Sequence, residues 1–333
     1  MLLELAARRQ VMFVGGKGGV GKTAVASAVA LAQARAGRRV LVVSTDPAHN
    51  LGHLWERPVG DRVVALADGL DGLEVDPART TDEHLRAVGR TLHRLMPEHL
   101  SGEVTKHLDL ARDAPGTHEA AVLERIADVL ETSDHDLVVF DTAPSGHTAR
   151  LMTLPETMSA WTEGLLRRQD RSARFGAALR GLDDEAAQSV VGTGRGRDPR
   201  AERDEEIRQI LLRRRARFAG LRELLADDAR TAFVIVLAAE RLPALETVEL
   251  YERLVRAGVE VGCLVVNKRS PADRGDFLAR RRAQEEAHLG TVRDALPHVP
   301  LIELPLLAED IVGEAALERF AETIAHAAPS ARD

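Results

Sequence analysis

The chain has 333 residues, 44% apolar and 29% charged, with a formal net charge of −7 at pH 7. That is the balance of a globular chain of roughly one or two domains, and its acidity argues against a general nucleic-acid surface. No apolar run is long enough to span a bilayer, Met1–Arg9 lacks the charge order of a secretory signal, and the lone Cys263 excludes an internal disulfide. A cytoplasmic location is expected.

The first informative stretch is the apolar run Val11-Met12-Phe13-Val14, which leads into Gly15-Gly16-Lys17-Gly18-Gly19-Val20-Gly21-Lys22-Thr23 and then the helix former Ala24–Leu31. Strand, glycine loop and helix in that order are what a phosphate-cradling P-loop requires. The backbone N–H groups of Gly16, Lys17, Gly18, Gly19, Val20 and Gly21 are expected around phosphate oxygens, where side chains would obstruct. The helix beginning near Lys22 adds its positive dipole end. Lys22 is expected to reach the β- and γ-phosphates of a bound nucleotide, and the Thr23 hydroxyl to ligate Mg²⁺. Lys17 is a second lysine in the loop, although the chain has only four, the others being Lys106 and Lys268. A compact ammonium meets phosphate differently from the guanidinium this chain otherwise prefers.

Val40–Val43 reads as a buried parallel strand, and Pro47 leaves Asp46 at its C-terminal edge, where open α/β sheets bind ligands. Residues Pro77 to Glu131 read as mostly helical, with breaks at Met96-Pro97 and Ala114-Pro115-Gly116 and a Thr117 cap. Leu137–Phe140 is a further strand, ending in Asp141 as a Walker B acid does when it supports Mg²⁺. The loop Thr142–Thr148 has Pro and Gly placed to move with the γ-phosphate. Glu163–Gly181 has helical spacing, and Val191–Arg203 reads as a loop. Strands are expected over Ala232–Leu237, Val259–Val266 and Val299–Leu304, with helices over Ala244–Ala257 and Gly313–Ala327. The fold class is α/β, a mostly parallel sheet flanked by helices with a helical subdomain inserted. The core spans about 9–76, 132–155 and 230–328, and the helical subdomain about 77–131 and 156–229.

The lysine-bearing loop resembles the deviant Walker A of dimeric ATPases that include MinD, ParA and the ArsA family. Ser44-Thr45-Asp46-Pro47-Ala48-His49-Asn50-Leu51 and Asp141-Thr142-Ala143-Pro144-Ser145-Gly146-His147-Thr148 resemble the switch loops of the ArsA family more specifically. That family holds arsenite-pump ATPases and the ATPases that guide tail-anchored membrane proteins. Leu304–Asp310 is similar to its adenine loop, and Val265–Lys268 to its adenine-binding strand end. The resemblance implies ATP as substrate and a homodimer in which each Lys17 reaches the partner's nucleotide. It implies that Asp46 positions or activates water, Asn50 senses γ-phosphate, and Glu240 touches nucleotide across the dimer. Asn267, Pro305 and Leu306 would hold adenine. Where targeting ATPases of the eukaryotic type carry a zinc-binding cysteine pair, this chain reads Gly275–Arg281, so no zinc is expected.

Three functions fit these residues. One is a nucleotide-switched factor that targets or shelters a hydrophobic membrane-protein client. Another is the catalytic subunit of an anion or metalloid pump, which would need a membrane partner and thiols. The third is a positioning ATPase of the MinD or ParA kind, which would need a basic surface or a membrane-binding helix. The Arg-rich 165–217 stretch fits either a client-binding element or a solvated helical hairpin.

Overall fold

The computed structural model describes residues 1–46, 50–95, 101–112, 114, 116–143, 150–158, 160, 162–164, 166–167, 171 and 199–328. The Met96-Pro97 break, most of the Thr142–Thr148 loop and the greater part of Val191–Arg203 lie outside them. Eight strands form one sheet in the order β3-β4-β2-β5-β1-β6-β7-β8. They are β1 (Val11–Gly16), β2 (Val40–Ser44), β3 (Val64–Ala67), β4 (Leu70–Glu74), β5 (Leu137–Asp141), β6 (Thr231–Ala238), β7 (Val261–Arg269) and β8 (Leu301–Pro305). Every pairing is parallel except β3 against β4. The apolar runs are continuous because these strands are covered on both faces; β1, β2 and β5 are buried along their whole length.

Side chains alternate between two cores, as the period of a strand demands. Val11 and Phe13 enter one core, and Met12 and Val14 enter the other. Phe13 stacks on Phe140 of β5 at 4.8 Å between centroids and on Phe233 of β6 at 6.3 Å, so three neighbouring strands share one aromatic layer. Helices α1 (Leu2–Ala7), α2 (Lys22–Arg35) and α11 (Glu314–His326) cover the Met12 face. On α11, Leu317, Phe320 and Ile324 are buried while Glu314 and Glu318 clasp Arg35 of α2. This helix is docked, as its acidic outer face suggests.

The Phe13 face takes α6 (Thr117–Thr132), α8 (Pro199–Ala226), α9 (Arg241–Arg256) and α10 (Asp276–Ala295). Helices α4 (Pro77–Leu95) and α5 (Ser101–Arg112) pack beside α6, and residues 150–158 form a further helix, α7. Leu123 and Ile126 of α6 and Phe218 and Leu221 of α8 belong to the same core as the sheet, so these helices bury apolar residues against the strands. One local expectation fails. The N-cap of α6 is Gly116 at φ 95°, and the Thr117 hydroxyl donates backwards to Ala111 O at 2.8 Å.

Cys263 lies inside β7, fully buried, and its thiol donates to Leu264 O at 3.3 Å. Burial pushes the thiol up to about 12. Thiolate is the reactive form, so folded protein should resist a thiol-directed disulfide reagent at pH 8 and react with one equivalent only after denaturation. Full reaction of the native chain would contradict this packing.

Candidate functional site

The β1 strand ends in the centre of the sheet, between β5 and β6, and its glycine loop rises from the C-terminal edge. Chain connections run to opposite sides of β1 here, the kind of crevice in which open α/β sheets take ligands. Gly16 sits at φ 143°, and a Cβ there would lie 2.0 Å from Val236 O on the neighbouring strand. Gly21 is left-handed at φ 93°, and a Cβ would lie 2.4 Å from Asn267 Nδ2. Both positions require glycine. Gly21 is also the N-cap of α2 and supplies no side-chain cap, so the first N–H groups of a 14-residue helix are left for another acceptor.

Lys22 opens that helix with 4% of its surface exposed, and its ammonium donates to Lys17 O at 3.2 Å. The bond folds the loop over itself. Thr23 Oγ1 donates to Asp141 Oδ2 at 2.7 Å, and Ser44 Oγ donates to the same oxygen at 3.4 Å. The other oxygen, Asp141 Oδ1, is buried with no hydrogen-bond partner. Burial raises this carboxyl to about 6, against the opposing effects of the Thr23 hydrogen bond and the Lys22 charge; Asp46 pushes it up further as a like charge. An orphaned carboxylate oxygen beside a threonine hydroxyl suits a hard cation that takes oxygen ligands.

Asp46, 8% exposed, follows β2, and its backbone N–H donates to Ser44 Oγ at 3.4 Å. Pro47, Ala48 and His49 lie outside the described residues. Asn50 is exposed and begins the short helix α3 (Asn50–Leu54), whose Leu51 N–H donates to Glu74 Oε1 at 3.2 Å.

Across the loop from Asp141, Asn267 Nδ2 donates to Val20 O at 3.0 Å and Asn267 Oδ1 accepts the Lys268 N–H at 2.9 Å. The amide keeps one N–H and one lone pair for another partner. Lys268 adopts φ 60°, and its ammonium donates to Gly19 O at 2.9 Å. Arg269, 2% exposed, is held by Glu285, Glu286 and Glu303. Its carbonyl accepts the Leu306 N–H at 2.8 Å and so ties the Pro305-Leu306 segment to the end of β7. Pro305 and Leu306 are exposed. Glu240, the N-cap of α9, pairs with Arg281 at 2.9 Å. Lys17 reaches outward to Glu246 of α9, Nζ to Oε1 at 2.7 Å.

A family model described as anion-transporting ATPase matches residues 9–326. The chain belongs to that family. Among curated relatives of this chain are proteins named ATPase GET3. That of Pyricularia oryzae is 30% identical over 319 residues, covering 94% of this chain and 89% of the relative. Those of Podospora anserina and Neurospora crassa are 30% and 28% identical over similar lengths. The chain is accordingly an ATPase of the ArsA type, and nucleotide is its substrate.

Around the loop of this family member, the fold gathers Gly16 to Thr23, Asp46, Asp141 and Asn267 at one crevice. Glu240 stands apart on α9, bound to α10. Three contacts were not foreseen in the sequence: the Ser44 hydroxyl on Asp141, the Lys268 ammonium on Gly19 O, and Glu246 on Lys17. The scarcity of lysine was the available clue to Lys268, since three of the four lysines converge on this loop.

Proposed function

We propose that the chain is a nucleotide-switched homodimer that hydrolyses ATP to target or shelter a hydrophobic, tail-anchored-like membrane-protein client. The observation that carries the ATPase chemistry is the pairing of Thr23 with the half-orphaned Asp141 beside a buried Lys22. Phosphoryl transfer needs positioning and positive charge more than covalent help. Loop amides and the α2 N-terminus cradle the phosphates, and Lys22 neutralises charge on the β- and γ-oxygens. Thr23 and Asp141 would hold Mg²⁺, which supplies further positive charge when bound. Asp46 orients the attacking water and accepts its hydrogen bond, and Asn50 registers the γ-phosphate at the head of α3. Asn267 offers its free N–H and lone pair to adenine between β7 and the Pro305-Leu306 segment. The part of the chain read as a helical subdomain, about 77–131 and 156–229, is the element that would respond to loss of the γ-phosphate.

The client reading rests on the resemblance of both switch loops to those of ATPases that guide tail-anchored proteins, together with the relatives named ATPase GET3. A metalloid pump would draw on soft thiolates, and the one thiol here is sealed in β7. No helix among the described residues is long and apolar enough to cross a membrane. Asp46→Asn should trap the ATP-bound state, and pull-down with this variant should enrich membrane proteins bearing one C-terminal apolar segment. Recovery of a polytopic pump subunit in stoichiometric amount would overturn the client assignment.

A further inference from the structure

We propose that Glu246 is a positioning residue for ATP turnover, holding Lys17 within its own subunit until the nucleotide of a second copy takes the ammonium over. The proposal rests on the reading that Lys17 serves a facing nucleotide. The main chain of Lys17 is tied into the cradle, because its carbonyl accepts the Lys22 ammonium at 3.2 Å. Its side chain instead leaves the cradle and meets Glu246 Oε1 at 2.7 Å, 229 residues further along the chain. The other acid near this end of α9, Glu240, is engaged with Arg281. Glu246 is therefore the carboxylate that sets where Lys17 rests.

Both members of the pair are about one-third exposed, 35% and 38%, so the contact is weak enough to exchange. A triphosphate with several negative charges outcompetes a single carboxylate for the same ammonium. Leu242, one turn before Glu246, and Leu245 beside it are 61% and 47% exposed. A second copy that covers this helix face would close over the pair at the moment Lys17 changes partner. Glu246 thus sets a cost on ATP-driven pairing, because the ion pair must break when Lys17 changes partner, and until then it keeps Lys17 off its own phosphates.

The test is the dissociation constant for pairing, measured by sedimentation at saturating ATP and Mg²⁺. Glu246→Gln should tighten pairing about two- to fivefold for each of the two ion pairs that assembly breaks, the equivalent of roughly 0.4–1 kcal/mol each. Glu246→Asp, which keeps the charge, should return most of the way to the wild-type value. In a Lys17→Ala background the Glu246→Gln change should have no effect, an outcome that a merely structural role of Glu246 would not produce. A wild-type dimer whose affinity Glu246→Gln leaves unchanged or weakens, or an equal shift without Lys17, overturns the role of Glu246 alone. A wild type that stays monomeric with ATP overturns both this role and the dimer on which it rests.

Discussion

Lys22→Ala should lower the rate of phosphate release by at least about a thousandfold, with the fold intact by circular dichroism. Removing a single preorganised donor from a charge-stabilising site costs on the order of a hundred- to a thousandfold. Lys22 is more than a single donor. It is buried, it closes the loop onto Lys17 O, and its charge holds down the Asp141 carboxyl. Without it, the pKa of Asp141, already about 6, rises further, and the carboxylate form that a cation needs is depleted toward neutral pH. Loss of rate should therefore be steepest below pH 7 and should be joined by weaker nucleotide binding. A variant that keeps near wild-type turnover would remove this loop from catalysis.

Mixing two impaired variants should restore activity. Lys17→Ala lacks the lysine proposed to complete a partner's site, and Asp46→Asn keeps the shape of the side chain but not its charge. Asp46→Asn alone should lose at least about tenfold in rate, roughly 1.4 kcal/mol of barrier, while binding ATP with similar affinity. In a two-fold dimer, a Lys17→Ala subunit paired with an Asp46→Asn subunit has its own Asp46 and receives the partner's Lys17. The reciprocal site has neither. Random pairing at equal concentrations then gives about a quarter of the wild-type specific activity, since about half the dimers are mixed and each has one sound site. If Lys17 acted on its own subunit's nucleotide, both sites would stay defective and the mixture would be as inactive as its parts. Activity proportional to protein concentration squared at low concentration would accompany the restored rate.

Most parallel strands were legible because burial on two faces writes them as unbroken apolar runs, and β1, β2, β5, β6 and β7 all read this way. β4, parallel to β2, was missed because Asp71, Gly72 and Glu74 interrupt its run. β3 was missed too, since it is a four-residue antiparallel edge with one fully buried side chain, Leu66, too short for a period to show. Helix α10 buries Glu285 with Leu289 and Val292 to serve Arg269, and a stripe containing a glutamate does not register as apolar. The Thr117 cap misled because glycine in the left-handed region starts that helix instead. At the site, the glycine loop, Asp46 and Asp141 stood out because each ends a strand run. The Lys17–Glu246 contact joins residues too far apart in sequence for any local pattern to reveal it.

The convergence of Lys17, Lys22 and Lys268 on one glycine loop concentrates the side-chain amines of the protein at the proposed nucleotide crevice. Lys106, exposed on α5, is the only one elsewhere. Amine-directed labelling and lysine acylation thus become nearly site-selective for this molecule. Lys17, the more exposed of the two lysines in the sequence motif, reports on whether that crevice is shared, and Lys106 serves as a built-in reference on the helical side.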